Sequence, residues 1–138
     1  MIIKIVVDNK FDTPILYDGG GDRFWGVEYF KDDEWTNLAY KESGGFQLTE
    51  ENIGDTCYIT FYERVPLAEL KPGSSLSNQW SQKICPFGTA DPAEPRTVRY
   101  IESGRYRFTF VYGSGTTNND SFRLSDSKTA YSNSFIIK

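Results

Sequence analysis

The chain has 138 residues, 38% apolar and 16% aromatic, with a formal charge of −4 and a pI near 4.8. That length can bury one sizeable core without metals or many cross-links, so residues 1–138 are expected to form a single domain. The acidic balance argues against nucleic acid, whose phosphates require a basic footprint, and no run of about 18 apolar residues offers a membrane span.

Phe and Tyr, with abundant Gly, Ser, Thr and Asn, favour strands and turns over helices. Only segments such as 46–53 and 64–71 are expected to hold a helical turn. Residues 2–7 predict a first strand with Ile3, Ile5 and Val7 on one face and Ile2, Lys4 and Val6 on the other, apolar enough on both to be well covered. Pro14 places Ile15-Leu16-Tyr17 at an edge or a strand start. Asp18-Gly19-Gly20-Gly21-Asp22 is expected to be a loop. In 24–30, Trp25, Val27 and Tyr29 share a face, and Lys31-Asp32-Asp33-Glu34 makes a polar hairpin turn into 35–38.

Residues 39–55 are less regular, with Gly44-Gly45 and Gly54-Asp55 as turns. A strand is expected at 56–63, with Cys57, Ile59 and Phe61 pointing one way, and Pro72-Gly73 turns the chain again. Residues 76–84 read as one weaker strand packing through Leu76, Trp80 and Ile84. The stretch 86–96, with Pro86, Pro92 and Pro95, predicts a long irregular connection. A strand at 97–101 leads into the stretch on which the rest depends. After a turn at Ser103-Gly104, Tyr106, Phe108, Phe110 and Tyr112 alternate with Arg105, Arg107, Thr109 and Val111. Such period-two patterning predicts a half-buried central strand, with Arg105 and Arg107 on its solvated face. Residues 113–120 predict a flexible polar loop, and 133–137 a last strand through Phe135 and Ile137.

Many short strands, turn signals every 8–12 residues and no helical period predict an all-β chain, an Ig-like antiparallel β-sandwich, with a β-barrel as the alternative. The sandwich is favoured by Gly104 followed two residues later by Tyr106, a spacing that suits a tyrosine corner bonding back across a loop, the equal alternative being that Tyr106 is simply a core aromatic.

Histidine is absent, so triads, His general bases and His metal sites are excluded in their usual forms. Nucleophile-elbow, P-loop and dinucleotide motifs are also missing. Gly19-Gly20-Gly21-Asp22 echoes a phosphate loop but lacks the lysine and the following helix. Carboxylates remain, at Asp32, Asp33 and Glu34 and at Glu50 and Glu51, yet adjacent acids on a turn do not make the opposed pair that glycoside hydrolysis requires. The chain is therefore read as non-enzymatic, without cofactor or resident metal. A calcium site from Asp18 and Asp22, or from Asn118, Asn119 and Asp120, matches no known loop spacing. Trp25, Trp35 and Trp80 with nine tyrosines suggest a stacking surface for glycans, against the simpler reading that they fill the core. Cys57 and Cys85, even in number and outside any CxxC motif, are expected to form a disulfide, two separate buried thiols being the alternative. The bridge would add about 3.5 kcal/mol by the chain-entropy model.

Several segments together carry a family resemblance. Thr13-Pro14-Ile15-Leu16-Tyr17, Phe24-Trp25 and Asp33-Glu34-Trp35, then Leu70-Lys71-Pro72-Gly73-Ser74-Ser75-Leu76, Trp80, Cys85 and Ser103-Gly104-Arg105-Tyr106-Arg107, resemble the Ig-like domains of bacterial secreted proteins and lipoproteins. More weakly, the chain is similar to the bacterial intracellular proteinase inhibitor family, also an Ig-like sandwich. Glu102-Ser103 replaces the usual proline before Gly104, and the cysteine-rich middle of some relatives is reduced to Cys57. No inhibitory residue can be matched.

The resemblance implies a sandwich more than an activity. The expected function is binding, to a protein or glycan partner, through end loops on a rigid scaffold. The loops that stand out are Gly19, Gly20, Gly21 and Asp22, the 86–96 connection with Asp91 and Pro92, and Gly113–Asp120 with Asn118 and Asn119. The alternatives are a protease inhibitor acting through an exposed loop and a carbohydrate-binding module. The expected location is the cell envelope, periplasm or extracellular space, with any signal or lipid anchor outside this chain.

Overall fold

A computed structural model describes residues 2–17, 24–38, 51, 53–57, 66–84, 96–117 and 120–138. Strands β1 (Ile3–Asp8), β2 (Ile15–Tyr17), β3 (Trp25–Lys31) and β4 (Glu34–Asn37) are followed by β5 (Thr56–Cys57), β6 (Ala68–Leu70), β7 (Ser75–Trp80) and β8 (Lys83–Ile84). Then come β9 (Arg96–Thr97), β10 (Arg99–Tyr100), β11 (Gly104–Gly113), β12 (Gly115–Thr117), β13 (Asp120–Ser125), β14 (Lys128–Tyr131) and β15 (Phe135–Ile137). All pairings among them are antiparallel, and no α-helix occurs among the described residues.

The architecture is the all-β antiparallel sandwich expected from the sequence and not a closed barrel. One layer runs β4-β3-β11-β2-β6, with β14 and β15 also on β11. The ladders β1–β7 and β8–β10 form the other, facing it across the core, while β5–β9 and β12–β13 pair as separate two-stranded sheets. Strand β11 is central in the fullest sense. Its 106–110 stretch pairs with β3 and its 112–113 stretch with β2, while β15 takes 104–106 and β14 takes 109–112. A ten-residue strand reaches about 33 Å, enough to carry partners end to end on both edges.

The alternation read from the sequence fixes which face of β11 packs inward. Tyr106, Phe108 and Phe110 are buried and Arg105 and Val111 exposed. Trp25 and Val27 of β3 join them, and Ile5, Trp80, Ile84 and Ile101 close the core from the second layer. Phe135 packs on Phe108, ring centroids 5.0 Å apart, and Ile137 also meets the core.

Turn chemistry is equally local. Lys71-Pro72-Gly73-Ser74 is a type II turn, with the Ser74 amide donating to the Lys71 carbonyl at 3.1 Å and Gly73 at φ 75°. The β3–β4 hairpin turns on Asp32 (φ 53°) and Asp33 (φ 61°), the left-handed pair of a type I′ turn. Aspartate tolerates that region at a cost that glycine avoids. Asp33→Gly should therefore raise stability by about 0.5 kcal/mol, whereas a β-branched Asp33→Val should lower it by about 1 kcal/mol or more. Urea midpoints of the two variants, moving in opposite directions, would check this.

Several expectations need correction. The outer face of β1 is not covered: Ile2 and Val6 are 61% and 52% exposed, and no element among the described residues packs over them. Residues 76–84 do not form one strand. Gln82, at φ 64°, breaks the run into β7 and β8, although Leu76, Trp80 and Ile84 all face the core as expected. Residues 68–70, placed within a candidate helical turn, form β6 against β2. That leaves β2 an interior strand, its start alone set by Pro14. The polar stretch 113–120 is not simply a loop, since β12 pairs with β13 through a register shift at Thr116/Thr117. Both β13 and β14 went unmarked in the sequence, whose Ser- and Asp-rich composition there lacks an apolar alternation.

The 56–63 strand is described only as β5, and the Gly44-Gly45 turn lies outside the described residues. Cys57 enters β5 opposite Arg96, but Cys85 lies outside the described residues, and so does the disulfide expected between them.

Candidate functional site

The tyrosine corner at the start of β11 organises one margin of the sandwich. Tyr106 buries its ring against Trp80 and Phe135, and its hydroxyl donates to the Glu102 carbonyl at 2.6 Å. That bond bridges the turn at Ser103-Gly104 and holds 99–104 in place. Burial pushes the Tyr106 phenol above its usual range, Glu102 adds to the shift, and Arg99 opposes it. A folded pKa above the unfolded value favours folding only while the phenol keeps its proton. This stabilisation is complete below about pH 10 and is lost as pH rises through the raised folded value. Unfolding midpoints should accordingly fall as pH rises above about 10. Tyr106→Phe should flatten that fall and cost about 1–2 kcal/mol at pH 7 through the lost hydrogen bond. An unchanged pH slope in the variant would remove Tyr106 as the cause.

Beside this corner lies a cleft of about 570 Å³ between the β3–β4 hairpin and segment 99–106. Its floor is apolar: Ile84, Ile101 and Tyr106 are almost wholly buried. One wall brings Tyr29, Phe30 and Lys31 from the end of β3, with Asn37 at the end of β4 and Leu38 after it. The other brings Arg99 and the run Glu102-Ser103-Gly104-Arg105. Lys31, Arg99 and Arg105 are exposed and make no ion pair among the described residues. The Arg99 guanidinium donates to the Tyr100 carbonyl at 3.2 Å, and that of Arg105 lies 5.8 Å from the Phe30 ring. Three cations against the single carboxylate of Glu102 make the cleft locally basic in an acidic chain.

The outer face of β11 carries a second constellation. Arg107 was expected on a solvated face, yet it is held between two rings, 4.3 Å from that of Trp35 and 3.9 Å from that of Tyr131. Glu28 pairs with it at 2.7 Å. The stack ties β4, β3, β11 and β14 together across one face, and its charge is already neutralised. It is structural, and Trp35 belongs to it rather than to the core.

Gly19, Gly20, Gly21, Asp22, Asp91, Pro92, Asn118 and Asn119 all lie outside the described residues, as do Asp18 and Glu50. Asp32 and Asp33 occupy the hairpin turn, and Asp120 opens β13. Among the described residues no three His, Cys, Asp or Glu side chains converge, and no helix is long and apolar enough to cross a membrane. Nothing in the sequence marks Lys31, Asn37, Arg99 and Arg105 as neighbours, because strand pairing over some 70 positions assembles them. The one usable signal was the Arg-rich run 96–107.

No protein-family model, curated protein or solved structure matches this chain. Fold and cleft together define an all-β sandwich protein with a basic, apolar-floored cleft at one margin.

Proposed function

We propose that the protein is a non-catalytic binding domain of the cell envelope or secreted fraction, and that its contact surface includes the cleft between the β3–β4 hairpin and segment 99–106. The observation that carries this reading is the set of three cations, Lys31, Arg99 and Arg105, gathered on one cleft without an ionic partner among the described residues. Like charges brought together on an acidic protein cost free energy that a bound anion would offset. The cleft volume falls in the range of small-ligand pockets, and its apolar floor with a few polar groups at the rim has their composition. The resemblance to Ig-like domains of bacterial secreted proteins and lipoproteins is in keeping with binding.

The test is an amide NMR titration of the full chain with a panel of anionic and neutral oligosaccharides and peptides. At least one anionic member should shift the amides of Ile101, Ser103, Gly104 and Leu38, and the double substitution R99E/R105E should abolish the shifts. A panel that leaves all four amides in place would dismiss the cleft as a binding site.

A further inference from the structure

Resting on that reading, we infer that the cleft takes a carboxylated sugar, a hexuronate residue of an acidic glycan. The cations require a negative charge, and the fork of Arg99 or Arg105 suits a carboxylate, which accepts two parallel hydrogen bonds. Glu102 stands among them and accepts hydrogen bonds only. It repels a ligand that is anionic throughout, such as a polyphosphate, but takes a hydroxyl donor readily. A uronate combines the two, with one carboxylate beside several hydroxyl groups. Asn37 and Ser103 on opposite walls add donors and acceptors for further hydroxyls. Phe30, 37% exposed at the rim, offers a ring on which the C–H face of a pyranose can rest. An acidic peptide would satisfy the cations but leave this hydroxyl-matched lining unused.

The probe is trigalacturonic acid, titrated into the full chain because residues 39–50 directly follow Leu38 at the cleft wall. Three comparison ligands accompany it: its methyl ester, maltotriose and hexaglutamate. Trigalacturonate should move the cleft amides and bind at least about tenfold tighter than its ester or maltotriose, the loss expected for one charge-assisted hydrogen-bonded contact. R105E should weaken it by about tenfold or more on the same grounds. K128E, which makes the same change in net charge on the exposed strand β14 away from the cleft, should stay within about twofold. The comparison of acid with ester uses the unaltered chain, so it stands whether or not a variant folds. Equal affinity for acid and ester, or equal weakening by K128E and R105E, overturns the sugar assignment. Cleft shifts with hexaglutamate but not trigalacturonate overturn it too while leaving the binding reading intact. No cleft shift with any of the four probes overturns both.

Discussion

Trp80→Ala should destabilise the protein by about 4 kcal/mol, within the span found when a buried tryptophan is removed. Trp80 has 0% exposure and is where the two layers meet. Its ring lies 5.9 Å from that of Trp25, 6.0 Å from that of Phe108 and 6.5 Å from that of Tyr106, all on the opposite sheet. Its indole N–H donates to the Lys83 carbonyl at 3.2 Å, which holds the β7–β8 turn around Gln82. Truncation would leave a cavity that rigid sheets cannot collapse and would remove the indole donor from the Lys83 carbonyl. Against a total stability of about 5–15 kcal/mol, that is a large share. Urea unfolding followed by circular dichroism would measure it. Trp80→Phe, which keeps an aromatic ring of smaller volume but not the N–H, should fall between wild type and alanine. A loss below about 1.5 kcal/mol for the alanine variant would mean that Trp80 does not bridge the layers.

The second large effect belongs to a residue that packs through hydrogen bonds. Asn9 is 3% exposed, and its side-chain amide donates to the carbonyls of Thr13 (3.0 Å) and Leu70 (2.9 Å), while its side-chain oxygen accepts from the Phe11 amide (3.0 Å). Its backbone exchanges bonds with the 71–74 turn, donating to Ser74 and accepting from Gly73. One side chain thus joins the 9–13 segment to the end of β6. Asn9→Ala would strand two acceptors and a donor, and about 3 kcal/mol is expected at 1–3 kcal/mol per group that stays buried. Asn9→Asp distinguishes hydrogen bonding from packing. It keeps the acceptor for Phe11 but sets a carboxylate against two carbonyl oxygens, so its folded pKa would lie above the unfolded value of about 3.9. Stability of that variant is then retained below about pH 3.9 and lost as pH rises through the folded value, more than in wild type. A variant as stable as wild type at every pH would show instead that side-chain volume, which Asp preserves, is what matters.

Both residues show how far a sequence reading reaches. Trp80 could be assigned to the core because alternation places it with Leu76 and Ile84, although the turn at Gln82 could not be foreseen from a non-glycine residue. Asn9 reads as turn punctuation, since Asp8-Asn9-Lys10 between apolar runs has that meaning in most chains. Its partner at Leu70 is 61 positions away. Tyr106 lies between these cases: the Gly-x-Tyr spacing suggested a bond back across a loop, and only the structure shows its acceptor, the Glu102 carbonyl. Arg107 was placed on the correct face, but its partners Glu28, Trp35 and Tyr131 come from three other strands.

The sequence by itself determined what depends on nearest neighbours: the inward face of β11, the hairpin at Asp32-Asp33, the Pro72-Gly73 turn and the all-β sandwich class. These follow from side-chain alternation and backbone preference, which are set within a few residues. Only the tertiary structure decided that β11 would hold four partner strands, that Arg107 would be enclosed, and that Lys31, Arg99 and Arg105 would share a cleft. Those outcomes depend on which distant strand edges pair and in what register, a choice made by the packing of the whole core.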